Sequence, residues 1–438
     1  MELLTKGEGL QFLQDILGIP ISEVPNLSDK SVSAETKLSF LETLLRAFLA
    51  HVPFQSIYLM SHDINNRRRP TWDEIKRDIL SGRGGLCYSV NAFMYALLAS
   101  LELNAGMTFC TFNTGANCPD NHLLVLLHDL VAPGSLHLVD VGLGYFVPHA
   151  LSLDFTNESQ EYTDSFMTYK LCKESESVIY FMKKVPVDTP PPASSDRDVE
   201  PPKVLQEILH TSEGNKQNDA RSQTIQTADT DPTNNENQTQ KVVLNGAHNN
   251  KIIQHFTWLK LYFFNPLISH KKLEPFFPCF DYCFTDFTKL STHTSPRAMF
   301  WPNGKFVCLV NSRLIQEKEE GKLTKTNIIE TVVKVNPLVS RQNNSHPTKV
   351  AENKAPRTHS DDSKNTLNET PEEIPSADTK NEHGNHSEDQ NKHNIPEFEP
   401  LVQAYEKYFP TLPTQMVRAA LRNWTVTGTI CPVPQHLA

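Results

Sequence analysis

The chain has 438 residues, of which 38% are hydrophobic, and it carries a formal net charge of -10 at pH 7. This length is sufficient for two or three domains with a sizeable core. The negative charge argues against binding to nucleic acid or to anionic membrane surfaces. We predict neither a signal peptide nor a membrane span, because the first residues mix charged with apolar side chains and no apolar run reaches the length of about 18 residues that a spanning helix needs.

Eight cysteines are too sparse for a disulfide framework in a chain of this length, so we expect reduced thiols in a cytoplasmic protein. We also expect a monomer, although no sequence pattern fixes the oligomeric state. Cys279 and Cys283 form a single C-x-x-x-C pair, and Cys110, Cys118 and His122 are widely spaced. A structural zinc site usually needs two close pairs, so we predict no metal site. The sequence also lacks the glycine-rich motifs of Rossmann and P-loop phosphate sites.

Hydrophobic spacing predicts a mixed α+β protein. Leu38, Leu41, Leu45 and Phe48 recur at helical spacing in KLSFLETLLRAFLAHVPF, and Pro53 ends that helix. Short apolar runs such as HLLVLL, LHLVDVGLG and SVIYFM then predict strands. The segment FEPLVQAYEKYF predicts a helix near the end of the chain. The basic run NNRRRP between the first helices is typical of a solvated loop, with steering of a phosphate-rich cofactor as an alternative.

Two polar stretches divide these patterned regions. They contain few large apolar residues, so they cannot bury enough surface to offset the entropy lost on ordering, and we predict that both are disordered insertions. The predicted organisation is a helical domain (1–107), a strand-rich domain (108–185), an insertion (186–250), the first part of an α/β domain (251–336), an insertion (337–395), and a C-terminal helix and tail (396–438).

The segment RGGLCYSVN (83–91) places a cysteine directly before an apolar helix. Val90, Phe93 and Leu97 fall at helical spacing, so Cys87 is expected at the N-terminus of a helix with one buried face. Unpaired backbone amides and the helix dipole favour an anion at that position, and a thiol there is expected to ionise readily. On this local pattern alone, a small buried hydrophobic residue is an equally good interpretation.

A cysteine nucleophile needs a base and a group that orients the base. His122 begins the run HLLVLL, and Asp140 lies within LHLVDVGLG. If these runs form a hairpin whose loop is His128 to Gly134, Leu127 faces Ser135 and His122 faces Asp140, with Cβ atoms about 5 Å apart. We therefore predict a hydrogen bond between imidazole and carboxylate, which a slip in register would remove. Taken singly, His122 also suits an edge histidine and Asp140 a turn residue.

Several segments around these residues resemble the arylamine N-acetyltransferase family. HVPFQSI (51–57) is similar to its V-P-F-E-N segment, RGGLCYSVN to its R-G-G-W-C-x-x-x-N signature, and NHLLVLL and DVGLG to its H-L-L-L and D-x-G-F-G strands. FTDFTKLSTHTSPRAMF (284–300) is similar to the family segment that contains T-S-P. The resemblance covers about residues 1–184, 255–335 and 396–415.

The resemblance implies a cysteine-protease-like α+β fold in three parts: a helical bundle that carries Cys87, a β-barrel that carries His122 and Asp140, and an α/β lid. It implies a two-step transfer in which Cys87 attacks the thioester of acetyl-CoA, His122 accepts the thiol proton, and Asp140 orients His122. Acetyl-CoA is then a co-substrate, no cofactor stays bound, and the acceptor is a small arylamine, arylhydrazine or N-hydroxyarylamine.

Further positions carry over from the same resemblance. Thr294 and Ser295 match the T-S-P segment that contacts coenzyme A, and the loop from Ala116 to Asn121 matches the loop that lines the path of its pantetheine arm. Leu143 and Gly144 match the pair that borders the acceptor pocket. Arg83 and Asn91, at the ends of the cysteine signature, are expected to be structural supports.

The sequence also departs from the family pattern. Leu86 replaces the usual tryptophan, Leu143 the usual phenylalanine and Gln55 the usual glutamate. The loss of an aromatic side chain at Leu143 removes area on which a planar arylamine would stack. Two alternatives therefore stay open: a papain-like or transglutaminase-like thiol hydrolase, in which water takes the acyl group, and a silent scaffold of the same fold whose polar insertions bind partners.

Overall fold

Helices and two antiparallel sheets make up the structure, which is a computed structural model. It describes residues 3–112, 118–187, 256–286, 290–319, 321–329 and 398–427. The predicted insertions at 186–250 and 337–395 lie outside these ranges, except for Pro186 and Val187. No helix of the described ranges is long and apolar enough to cross a membrane. The predicted α+β class is confirmed.

The N-terminal region is helical. Its elements are α1 (Lys6–Asp15), α2 (Ala34–His51), the short strand β1 (Phe54–Gln55), α3 (Ile57–Ser61), α4 (Trp72–Leu80) and α5 (Cys87–Ser100). Side-chain caps fix where the helices begin: Thr5 and Thr71 each form a reciprocal capping box with a glutamate three residues later, and Ser33 accepts the N–H of Thr36. These caps satisfy amides that otherwise have no partner within the helix.

Helix α5 is the central helix of this region. The sequence predicts one buried face, but twelve of its 14 residues are buried. The prediction of one face is wrong because α1, α4 and two strands of the larger sheet all pack on α5. A helix that is apolar all round is typical of such a central position. This packing around α5 therefore fixes the position of Cys87 at the N-terminus of the helix.

The larger sheet has eight antiparallel strands in the order β5-β4-β3-β2-β9-β8-β7-β6. Its strands are β2 (Ala105–Phe112), β3 (His122–His128), β4 (Leu136–Val139), β5 (Leu151–Ser152), β6 (Tyr162–Asp164), β7 (Met167–Ser175), β8 (Val178–Pro186) and β9 (Phe256–Phe264). The sequence analysis places β9 with the α/β domain that follows the first insertion. The structure corrects this assignment, because β9 pairs along its whole length with β8 and also joins β2.

The smaller sheet has five antiparallel strands in the order β1-β10-β11-β12-β13. It combines β1 of the helical region with β10 (Arg297–Phe300), β11 (Val307–Val310), β12 (Arg313–Glu319) and β13 (Lys322–Asn327). The remaining helices are α6 (Phe277–Thr285), α7 (Glu399–Tyr408) and α8 (Thr414–Thr427). Helix α7 is the predicted C-terminal helix, and α8 packs on α3.

Strand β3 is buried on both faces, and this burial positions the site. Leu123 and Val125 belong to the core that surrounds α5, whereas Leu124 and Leu126 belong to a second core on the other face of the sheet. The sequence of such a strand is a continuous run of apolar residues and does not alternate between apolar and polar. His122 is the first residue of this strand and is itself buried.

The turn before α5 generates a stability prediction. Gly84 has φ +70°, and an added Cβ would lie 1.8 Å from the carbonyl oxygen of Pro53. We expect Gly84→Ala to lower the free energy of unfolding by about 3 kcal/mol or more, since the backbone must shift. Gly134→Ala is the matched control: Gly134 has φ +82° with open space around it, so only the dihedral cost of about 1 kcal/mol applies. Urea unfolding measures both, and equal losses would contradict the prediction.

Candidate active site

The hairpin of β3 and β4 brings His122 to Asp140. Val125 pairs with Val139 and His128 with Leu136, so the register differs by two residues from the predicted one. The predicted register is wrong, yet the predicted hydrogen bond is present, with 2.9 Å between Nε2 of His122 and Oδ2 of Asp140. Side chains alternate between the faces of a strand, so a shift of two residues keeps both on the same face.

The His122–Asp140 pair is buried, with exposed fractions of 3% and 2%. Burial alone lowers the pKa of His122, but the charge and hydrogen bond of Asp140, with a contribution from Cys87, raise that pKa from 6.5 to about 10. A raised histidine pKa means that the charged ring stabilises the folded state. This stabilisation is complete below about pH 6.5 and is lost as the pH rises through about 10.

Cys87 is the first residue of α5 and is half-buried. Its Sγ lies 4.0 Å from the carbonyl oxygen of Asn121, and its side chain acts on the pKa of His122 by a hydrogen bond and by charge. The backbone of Gly142 packs against it, since an added Cβ there would lie 2.9 Å from the Cα of Cys87. The structure thus brings together the three residues that the sequence analysis selected as a triad.

Asn91 holds the carboxylate of this site. It lies one turn after Cys87 on α5 and is fully buried. Its Nδ2 donates to Oδ1 of Asp140 at 2.9 Å and to the carbonyl of Leu123 at 2.6 Å, and its Oδ1 accepts the N–H of Val141 at 3.0 Å. The sequence analysis treats Asn91 only as a support. Its spacing of four residues from Cys87, which places both on one side of a helix, was the available signal.

Tyr262, on β9, is a site residue that the sequence analysis misses. Its ring lies 5.9 Å from the ring of His122 and stacks on Phe181 at 5.0 Å. Burial, followed by the charge of nearby Asp140, raises the pKa of its hydroxyl. The hydroxyl makes no hydrogen bond of good geometry within the described residues. No sequence signal places Tyr262 here, because a long segment separates β9 from the strands that it joins.

The positions predicted to contact coenzyme A lie just before β10 of the smaller sheet. Ser295 is fully buried, its hydroxyl donates to Oδ1 of Asn311 at 2.8 Å, and its carbonyl accepts the hydroxyl of Ser56. Thr294 is 7% exposed, and its hydroxyl donates to the carbonyl of Ser291. Both hydroxyls have protein partners, so contact with coenzyme A stays a prediction at these two positions.

The predicted acceptor positions, Leu143 and Gly144, follow Asp140 by three and four residues. Leu143 is buried in the second core, and Gly144 has φ +76° beside the sulfur of Met299. Of the predicted loop from Ala116 to Asn121, residues 116 and 117 lie outside the described residues. Within the described part, the side chain of Asn121 accepts the N–H of Phe112 at 2.7 Å and so ties this segment to β2.

The arginines of NNRRRP are not a free basic surface. Arg67 is buried and donates to the carbonyl of His293 at 2.6 Å. Arg68 pairs with Glu74 at 2.7 Å and Arg69 with Asp281 at 2.8 Å. The predicted solvated loop is therefore corrected to a connection between α4, α6 and the turn before β10. Arg83, a predicted support, contacts the buried Asp78 at 3.3 Å.

Part of the chain matches a known protein family. Residues 37–189 match the family model described as N-acetyltransferase, and this range holds the whole triad. The resemblance found in the sequence is thereby confirmed over this range. No curated protein sequence matches the chain.

Solved structures with a similar fold include three bacterial enzymes. Arylamine N-acetyltransferase C from Bacillus anthracis is 12% identical with a TM-score of 0.45, covering 74% of this chain and 93% of that one. The NAT3 arylamine N-acetyltransferase from Bacillus cereus, which has a Cys-His-Glu triad, is 16% identical with a TM-score of 0.44 over 73% and 92%. The Mycobacterium marinum enzyme in complex with CoA is 13% identical with a TM-score of 0.44 over 73% and 86%.

The pairing of His122 with Asp140 predicts that loss of the carboxylate lowers the pKa of His122. Asp140→Asn removes the charge that raises the pKa of His122 but leaves the ring buried, and burial favours the neutral form. Cys87 still raises the pKa of His122 in this variant, so we expect that pKa to fall from about 10 toward its ordinary value of 6.5. An NMR titration of ¹⁵N-labelled histidine rings measures it. Asp164→Asn, which removes the carboxylate beside His149, is the control and should leave His122 unchanged. An unshifted His122 in Asp140→Asn would refute the assigned cause.

Asn91 gives a second prediction. Asn91→Ala leaves the N–H of Val141 and the carbonyl of Leu123 without their buried partner, so we expect the free energy of unfolding to fall by about 3 kcal/mol. Ser100→Ala serves as control on the same helix: its buried hydroxyl donates to the carbonyl of Leu97, and about 1 kcal/mol or less should be lost. Denaturant unfolding compares the two, and a loss for Asn91→Ala no larger than for the control would count against its role.

Proposed function

We propose that the protein is an arylamine N-acetyltransferase. It transfers an acetyl group from acetyl-CoA to an arylamine, arylhydrazine or N-hydroxyarylamine by way of a thioester on Cys87. The observation that carries the proposal is the buried hydrogen bond of 2.9 Å between His122 and Asp140, with the Sγ of Cys87 4.0 Å from the carbonyl oxygen of Asn121, the residue before His122. All three residues lie within the range that matches the N-acetyltransferase family.

The first half-reaction forms the acyl-enzyme. His122 takes the proton of the Cys87 thiol, and the sulfur attacks the carbonyl carbon of acetyl-CoA. The tetrahedral intermediate expels coenzyme A, which takes a proton from the imidazolium and leaves as the free thiol. One thioester is exchanged for another, so the step has a small free-energy change, and the covalent intermediate divides one difficult encounter into two easier ones.

The second half-reaction transfers the acetyl group to nitrogen. The amine attacks the acetyl carbonyl on Cys87, its excess proton passes to His122, and the sulfur is released and protonated. Nε2 of His122 is hydrogen-bonded to Asp140, so Nδ1 is the ring nitrogen that exchanges protons with the sulfur of Cys87. Because Asn91 and the N–H of Gly142 both hold Oδ1 of Asp140, the carboxylate cannot turn away and the ring keeps its orientation.

We expect the acceptor pocket to select amines by their shape rather than by stacking on an aromatic side chain. Leu143 stands where the family pattern has phenylalanine, and it offers bulk without an aromatic face. Thr294 and the segment from Cys118 to Asn121 are the positions at which we expect coenzyme A to lie. A panel of arylamines and arylhydrazines of different width tests acceptor choice once acylation is established.

Peptide mass spectrometry tests the proposal. The purified protein is incubated briefly with acetyl-CoA in the absence of amine. We expect one acetyl group on the peptide that contains Cys87, absent from Cys87→Ser and retained in Cys172→Ser, which removes another half-buried thiol. Added arylamine should remove the acetyl group and yield the acetylated amine.

Other outcomes distinguish the alternatives. An acetyl group on Cys87 that water removes as fast as an amine does would indicate a thiol hydrolase. A Cys87 that stays unmodified would overturn the acetyl-CoA mechanism and leave another donor or a silent scaffold.

A further inference from the structure

A pair of buried thiols lies beside the active site, and the proposed mechanism does not use it. The Sγ atoms of Cys118 and Cys283 are 3.3 Å apart, although the residues are 165 positions apart in the sequence. Cys118 precedes β3 and Cys283 belongs to α6. Their exposed fractions are 3% and 0%.

The distance between these sulfurs sets them apart from two other thiols, Cys279 and Cys172. A disulfide bond is about 2.05 Å long, so the two atoms need to approach by only about 1 Å to be joined. Cys279, one turn earlier on α6, instead donates to the carbonyl of Phe276 at 3.2 Å. Cys172 donates to the carboxylate of Glu158 at 3.6 Å.

Hydrogen bonds anchor the backbone on both sides of the pair. The carbonyl of Cys283 accepts a hydrogen bond from Nε2 of His293 at 2.8 Å. Asp281, on the same helix, forms an ion pair with Arg69. Next to Cys118, the N–H of Asp120 donates to the hydroxyl of Thr111 at 3.1 Å. The two sulfurs are therefore held in proximity by the fold rather than by chance contact of mobile side chains.

We propose that Cys118 and Cys283 form a reversible disulfide when the protein meets a peroxide. One thiolate attacks a peroxide oxygen and becomes a sulfenic acid, with release of one water. The second thiol attacks that sulfur, the S–S bond forms, and a second water leaves. In sum, two thiols lose two protons and two electrons, and one hydrogen peroxide is reduced to two waters.

The bond would join α6 to the segment that carries the active-site histidine. Cys118 is three residues before Asn121, whose carbonyl contacts the Cys87 thiol, and four before His122. The crosslink restricts the unfolded chain over a long loop, so it stabilises the folded protein. We expect it to raise Tm by about 5 °C.

The rate of crosslinking should depend on pH. The hydrogen bond with Cys118, followed by burial, raises the pKa of Cys283. The thiolate is the attacking form in this chemistry. The disulfide should therefore form faster in alkaline than in neutral buffer, and a dithiol or phosphine reductant should reverse it.

Non-reducing peptide mapping tests the proposal. The full chain is treated with hydrogen peroxide, the remaining thiols are alkylated, and the digest is analysed by mass spectrometry with and without a phosphine reductant. We expect the peptides that contain Cys118 and Cys283 to be joined, with a matching rise in Tm. Cys118→Ser and Cys283→Ser should each lose both effects, and Cys283→Ala serves as a second variant if the serine disturbs the fold.

Two controls separate this site from the other thiols. Cys279→Ser removes the neighbouring thiol of α6 and should keep both the crosslink and the rise in Tm. Cys87→Ser should keep them too, which excludes the active-site sulfur as a partner. A bond from Cys283 to Cys87 or Cys279, or alkylation of both Cys118 and Cys283 after peroxide has oxidised Cys87, would overturn the proposal.

Discussion

The buried carboxylate of Asp140 is the group on which the arrangement of the site depends. It accepts hydrogen bonds from the amide of Asn91, from the N–H of Gly142 and from the ring of His122. An ionised carboxylate without such partners is costly in a protein interior. These contacts therefore couple α5 to the ends of β3 and β4. The same helix presents Cys87 one turn away, so the packing that satisfies the carboxylate also sets the sulfur beside the imidazole.

Local patterns were sufficient to predict the elements that carry the triad. The helix after Cys87, the two apolar strands and the contact of His122 with Asp140 all follow from spacing and alternation. The register was wrong because the loop lies one residue further along than assumed. Asp129, with φ +57°, begins it, and its carboxylate accepts the N–H of Gly134. Alternation with a period of two made the site insensitive to that error.

Features that depend on distant parts of the chain could not be predicted. The position of β9 between β2 and β8, and with it Tyr262 beside His122, results from pairing across the first polar stretch. The burial of α5 on all sides reflects partners from several regions. The arginines of NNRRRP found carboxylate and carbonyl partners that a charge run does not reveal. All three features depend on which elements pack against each other, and sequence periodicity carries little information about such contacts.

The position of β9 has a consequence for the order of folding during synthesis. Strands β2 and β8 are complete once Pro186 has been made, but the strand that joins them follows only after residues 188–255. At the usual rate of about 5–20 residues per second, the ribosome needs about 3–14 s for that stretch. During this interval two long strands present unpaired edges, and such edges favour pairing with other chains. During synthesis, this interval is therefore the time when the nascent chain is most exposed to aggregation and gains most from binding to a chaperone.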